Sequence, residues 1–204
     1  MQLLKTAVLV SGGGSNLQAI IDARPSLNIN LDVVISNRKA AYGLKRAEDA
    51  GIDAVYIKGT DPQFEEKLLA ELENRGIELI VLAGFLKILS PDFVEKFPNK
   101  IMNIHPSLLP SFGGNGFYGM HVHEAVFAKG CKVSGCTTHF VDSRTDTGPI
   151  IMQYACDISQ LTSPEDIQRK VLKYEHKLIV ETIRLISNNL IYLEDNAVRL
   201  RKEL

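Results

Sequence analysis

Short, almost unbroken apolar runs alternate with amphipathic helical stretches through the first half of the chain. This alternation limits the fold more than any other feature. Residues 6–10 (TAVLV), 31–36 (LDVVIS), 54–57, 78–83 (ELIVLA) and 100–104 read as strands. Between them, Ser15–Ala23, residues 41–50 and Phe64–Arg75 have helical spacing, with Leu17, Ile20 and Ile21 on one face of the first. The second and third stop at Gly51 and Gly76, residues suited to a helix C-terminus. Residues 91–97 begin a short helix with proline in its first turn. Strand runs without polar alternation bury both faces. The expected fold is therefore α/β: a Rossmann-like, mostly parallel sheet with helices on both faces.

The pattern changes in the second half. Residues 133–141 and 150–158 are extended runs joined by DSRTDTGP, a stretch of turn residues, and read as antiparallel strands or a long crossover at the sheet edge. Ser163 followed by Asp166 forms a capping pattern ahead of a long helix to about Ser187, and residues 191–200 read as a terminal strand pair. No repeat, low-complexity segment or linker interrupts the 204 residues, so a single domain over 1–204 is expected.

Ligands of open parallel sheets bind beyond the carboxyl ends of the strands. Three such ends carry unusual residues: SGGGSN at 11–16, GFLKILSP at 84–91 and NIHPSLLP at 103–110. Right-handed crossovers would bring them to one rim. In the first loop, glycines let backbone N–H groups approach an anion at a helix N-terminus. The dinucleotide fingerprint fails at Leu17, and no Gly-Lys-Ser/Thr follows. The loop fits either a single phosphate group or a plain glycine turn capped by Ser15 or Asn16. Asn103 and His105 lie two residues apart on a strand and so face the same way. Alone, His105 would read as a hydrogen-bonded core histidine. Beside Asn103 at a strand end, the pair reads as a proton donor and a non-titrating amide donor. Asp142 and Asp146 in the turn either form the turn through side chain to backbone bonds or face His105 and raise its pKa; spacing leaves both open.

Other chemistries are poorly supported. His121-Val-His123 lacks a suitably spaced third ligand, and Cys131, Cys136 and His139 would fall along a strand, so no metal is expected. There is no Gly-x-Ser-x-Gly elbow and no catalytic-cysteine signature. A net charge of −1 without a basic block argues against a nucleic-acid partner. An odd cysteine count (Cys131, Cys136, Cys156), no signal-peptide pattern and no long apolar span point to the cytoplasm and away from membranes.

SGGGSNLQAI, VLAGFLKILSP, NIHPSLLPSF and DTGPII, in this order and spacing, resemble the glycinamide ribonucleotide formyltransferases of purine biosynthesis, within the wider folate-dependent formyltransferase group. The similarity runs from about Lys5 to Leu200. It implies formyl transfer from 10-formyltetrahydrofolate, a co-substrate, to the amine of glycinamide ribonucleotide, by a monomer or homodimer working on small molecules. It further implies that Gly14, Ser15 and Asn16 bind the substrate phosphate and that Glu175 holds the amino end. Leu86, Lys87, Ile88 and Leu89 would meet the folate pterin through backbone groups. Asn103, His105 and Asp146 would form the catalytic trio, with Asn103 also touching folate. Asp142, Ser143, Arg144, Thr145 and Asp146 would form the folate-binding loop. Without the resemblance, Glu175 would read as a solvated helix residue.

The chain also departs from that pattern. The segment at 111–123 (SFGGNGFYGMHVH) is longer and richer in glycine than in many relatives, so it is expected to fold differently, with His121 and His123 unassigned. Where many relatives carry an arginine for the folate glutamate tail, Asp61-Pro62-Gln63 offers none. Gly13 replaces a more usual asparagine. A cis bond is expected at Leu109–Pro110. A formyltetrahydrofolate hydrolase would carry a further N-terminal domain, a methionyl-tRNA formyltransferase a basic C-terminal one. A folate-sensing domain would not need Asn103, His105 and Asp146 together.

Overall fold

The computed structural model describes residues 2–201. Packing divides the chain into two compact units, one up to Met102 and one from Asn103 onward. In the first unit, β1 (Leu4–Val10), β2 (Ile29–Ser36), β3 (Asp53–Tyr56) and β4 (Leu79–Leu82) run parallel, with β1 between β2 and β4 and β3 beyond β2. Val8, Leu9, Val10, Val33, Val34 and Ile35 are fully buried. Consecutive buried residues mean that both faces of these strands are covered, as the unbroken apolar runs require. The covering helices are α1 (Ser15–Ala23), α2 (Tyr42–Asp49), α3 (Phe64–Arg75) and the short α4 (Pro91–Val94). α4 is shorter than its sequence pattern implies. Its first turn is capped by Ser90, whose hydroxyl accepts from the Phe93 N–H.

In the second unit, β6 (Val133–Phe140) pairs antiparallel with β7 (Ile150–Asp157), as the turn-rich connection indicated. α6 (Pro164–Ser187) packs on both and along α5 (Met120–Ala128). Val122, Val126, Cys136, Val171 and Leu178 form the core there. Ser163 caps α6, its hydroxyl accepting from the Asp166 N–H at 3.1 Å. β8 (Ile191–Glu194) and β9 (Ala197–Leu200) make the terminal hairpin, turning at Asp195-Asn196, both with positive φ. With β5 (Ile101–His105), the long strands form one seven-stranded sheet in the order β3-β2-β1-β4-β5-β6-β7. Helix α5 is the element that the sequence reading left as loop. Val122 and Val126, one helical turn apart and both buried, are the apolar pair that carries it.

Candidate active site

The glycine loop at 11–16 is pinned within its own unit. Gly14 takes a left-handed conformation (φ 69°) as the residue before α1, and a Cβ there would press on the Cα of Gly43 in α2. Gly43 N–H donates to the Gly12 carbonyl at 3.0 Å, and Arg46 Nε donates to the Gly13 carbonyl at 2.8 Å. Ser11, which the sequence reading passed over, is the connector. Its hydroxyl donates to Asn37 Oδ1 at 2.6 Å and accepts from the Leu86 N–H at 2.8 Å, tying the glycine loop to the loop after β4. In that second loop Leu89 is buried, whereas Leu86 and Ile88 expose 43% and 65% of their surface. Two apolar side chains held up to solvent on a short loop are available to a ligand rather than to the core. Ser90 fixes the end of the loop, its N–H donating to Glu65 at 2.7 Å.

The residues singled out beyond Met102 converge on Asp146. Asn103 and His105 share one side of β5, as the two-residue spacing requires. His105 is 3% exposed, its Nε2–H donates to the Phe112 carbonyl at 2.7 Å, and its Nδ1 lies 3.5 Å from Asp146 Oδ2. Asp146 also accepts from the Gly114 N–H at 2.9 Å. Its backbone has a positive φ of 58°, and Phe112 one of 52°. These non-glycine residues in the left-handed region mark local strain beside the cluster. Asp142 takes the turn role instead: it accepts from the Arg144 N–H and the Thr147 hydroxyl. Ser143 and Arg144 are exposed, while Thr145 is half-buried.

Electrostatics partly reverse the expectation for His105. Burial is the largest influence and lowers its pKa, outweighing the Asp146 carboxylate and the Phe112 carbonyl, which favour the imidazolium; His139 lowers it further. The carboxylate contribution was foreseen, but the dominance of burial was not. A strand position alone does not reveal how dry the site is. Asp146 stays below the usual carboxylate range. Burial works to raise it, but the His139 hydrogen bond, the His105 charge and the Gly114 N–H together prevail.

His139 is the residue that sequence reasoning missed, having weighed it only as a metal ligand. Its Nδ1–H donates to the Phe140 carbonyl at 2.9 Å. The neutral ring therefore presents Nε2 as an acceptor, which receives the Asn103 Nδ2–H at 3.1 Å. Asp146 Oδ1 lies 3.6 Å from the same nitrogen. His139 thus orients the Asn103 amide and flanks the carboxylate that faces His105. No spacing rule joins residues 103, 139 and 146, because strand pairing brings them together.

Thr137 anchors the chain that follows. Its hydroxyl donates to the Ser107 carbonyl at 2.7 Å and accepts from the Leu109 N–H at 3.0 Å, just before the cis Leu109–Pro110 bond. Of the two unassigned histidines, His121 is exposed on α5 beside Glu124, 3.3 Å away. His123 is 1% exposed, and burial, then the charge of His105, pushes its pKa down to about 4. Glu175 on α6 is 7% exposed, so the solvated-helix reading of it is corrected: the long helix turns this carboxylate inward. Among the described residues, no group of three or more His, Cys, Asp or Glu is arranged to hold a metal. No described helix is long and apolar enough to cross a membrane.

The chain matches the formyl transferase family over residues 4–183. It is 36% identical to the phosphoribosylglycinamide formyltransferase of Haemophilus influenzae, over 94% of this chain and 91% of that protein. It is 39% identical to the human trifunctional purine biosynthetic protein adenosine-3 over 94% of this chain, but spans only 19% of that protein's length. The crystal structure of glycinamide ribonucleotide transformylase 1 from Symbiobacterium toebii superposes with a TM-score of 0.91 at 37% identity, covering 98% of this chain and 95% of that one. The chain belongs to the formyl transferase family and, within it, to the phosphoribosylglycinamide formyltransferases.

Proposed function

We propose that Asn103, His105 and Asp146 carry the reaction of this enzyme: transfer of the formyl group of 10-formyltetrahydrofolate to the amine of glycinamide ribonucleotide, a step of purine biosynthesis. The observation that carries the reading is the cluster around His105, with Asp146 3.5 Å from one ring nitrogen and Asn103 two residues away on the same strand side. An α-amino group next to a carbonyl has a pKa of about 7.7–8.0, so a useful fraction is neutral at pH 7. The amine attacks the formyl carbon directly, and no serine nucleophile, strong base or metal is called for.

As the new C–N bond forms, negative charge develops on the formyl oxygen. The second Asn103 Nδ2–H and the His105 ring are the donors for it. In the ligand-free site His105 Nε2–H is occupied by the Phe112 carbonyl, and the formyl oxygen replaces that acceptor. The adduct then loses a proton from the attacking nitrogen. A proton reaches the folate N10, and the C–N10 bond breaks. The His105–Asp146 pair handles these protons: the ionised carboxylate steadies the imidazolium that burial otherwise disfavours.

Gly14, Ser15 and Asn16 bind the phosphate through backbone N–H groups, and Glu175 holds the amino end of the ribonucleotide. Leu86, Lys87, Ile88 and Leu89, with Asp142, Ser143, Arg144 and Thr145, bind the folate. The whole chain acts as one formyltransferase domain. Every proposed residue comes from one chain, so a monomer or a homodimer serves equally. Cys131, Cys136 and Cys156 are free thiols, which fits the cytoplasm.

The test is release of tetrahydrofolate from 10-formyltetrahydrofolate, with and without glycinamide ribonucleotide. Release that depends on the ribonucleotide supports the transferase. Equal release in its absence makes the protein a hydrolase. Asn103→Ala and Asp146→Asn should each slow single-turnover transfer by about 10²-fold or more; near-normal turnover in either would remove that residue from the chemistry.

A further inference from the structure

A cavity of about 420 Å³ opens on the first unit, at the carboxyl ends of β2 and β3 and the loop after β4. Arg38, Lys58 and Lys87 line it, with Asn37, Tyr56 and Leu86, and no acidic residue does. Among the described residues, none of the three cations forms a salt bridge. Lys87 Nζ sits 5.0 Å above the Phe64 ring. Lys58 is close enough to Asp61 to help lower its pKa, but Asp61 is already engaged by Lys67 Nζ at 2.5 Å and by the Gln63 N–H at 2.9 Å.

The rim of the cavity is rigid where its cations are free. Arg38 is fixed by its backbone, the N–H donating to Ser36 Oγ at 3.1 Å and the carbonyl accepting from that hydroxyl at 3.0 Å. Gly59 N–H donates to the Asn37 carbonyl at 3.0 Å. Three long cationic side chains on three separate loops suit several anionic groups spread along a chain. A lone phosphate is better met by converging backbone N–H groups. The half-exposed rings and methyls of Tyr56 and Leu86 add an apolar floor for the methylenes between such groups.

We infer that this cavity receives the carboxylates of the folate's glutamate tail, with Arg38 and Lys58 as the residues that set preference for longer γ-linked polyglutamate. The inference rests on the proposed function, because the cavity begins at Leu86 and Lys87, two of the residues assigned to the folate, whose only anionic groups are those tail carboxylates. It also fills a gap in the sequence, where Asp61-Pro62-Gln63 lacks the arginine that serves the tail in many relatives.

The experiment measures equilibrium binding of tetrahydrofolate and its pentaglutamyl form by titration calorimetry. The proteins are wild type, Arg38→Gln/Lys58→Gln and the charge reversal Lys58→Glu. Wild type should bind the pentaglutamyl form about fivefold or more tightly, an advantage that shrinks with added salt. The double variant should lose most of that advantage while binding the monoglutamate with at most a small change, and Lys58→Glu should weaken pentaglutamate further. An unchanged advantage in the double variant overturns the inference. So does a loss of affinity for the ribonucleotide in place of the folate, which would make this a phosphate site. Binding does not require turnover, so failure of formyl transfer in wild type would count against the proposed function alone.

Discussion

His105 lies between two acceptors, the Phe112 carbonyl and the Asp146 carboxylate, in a site dry enough to lower its pKa. His139 supports this arrangement from behind by receiving the Asn103 amide and flanking Asp146. His139→Phe should therefore lower kcat by roughly tenfold or more with little change in KM, because it releases the orientation of Asn103 without removing a substrate contact. His139→Gln, able to accept the same hydrogen bond, should recover part of the loss; steady-state kinetics of the two variants decide this. Buried histidines also set the acid stability. His123 folds with its pKa lowered from 6.5 to about 4. Between those values the unfolded chain binds a proton that the folded one does not. Stability is therefore intact above about pH 6.5 and falls as pH drops through the window. From pH 7 to pH 5 the loss from His123 is about 2 kcal/mol, and the lowered pKa of His105 acts in the same direction. Urea unfolding at the two pH values should show this drop, and His123→Leu should reduce it.

At the scale of elements, the turn between β6 and β7 carries Asp146 and depends on close backbone approach. A Cβ at Gly148 would collide with the Phe140 carbonyl. Phe140 N–H in turn donates to the Pro149 carbonyl at 2.9 Å. Gly148→Ala should cost about 1–3 kcal/mol in denaturant unfolding. It should also reduce kcat, since the turn that shifts is the one holding Asp146. Ser163→Ala should cost about 1 kcal/mol by removing the α6 cap, with kcat unaffected. Elements with a clean period were legible in the sequence: the apolar strands, α1, α3 and the capped α6 all appear where their spacing put them. Helix α5 was hidden because the glycine-rich stretch before it has no period of its own. Only the Val122 and Val126 pair, too short to outweigh its surroundings, announced it.

For the whole molecule, ligands that bind only the folded chain raise its stability by mass action. Tetrahydrofolate or glycinamide ribonucleotide at 100 times its dissociation constant should add about 2.7 kcal/mol. For a chain of this size that moves the thermal midpoint by roughly 5–10 °C. An unchanged midpoint with both ligands would count against binding. The sequence by itself determined the α/β class, the antiparallel turn toward the C-terminus, the cis bond before Pro110 and the choice of Asn103 and His105. Each of these follows from local periodicity, turn chemistry or two-residue spacing on a strand. The tertiary structure alone decided which aspartate of the turn faces His105, that His139 orients Asn103, that Glu175 is buried and that burial outweighs the Asp146 charge at His105. Those depend on strand pairing, helix rotation and the exclusion of water, which come from contacts between residues far apart in the chain.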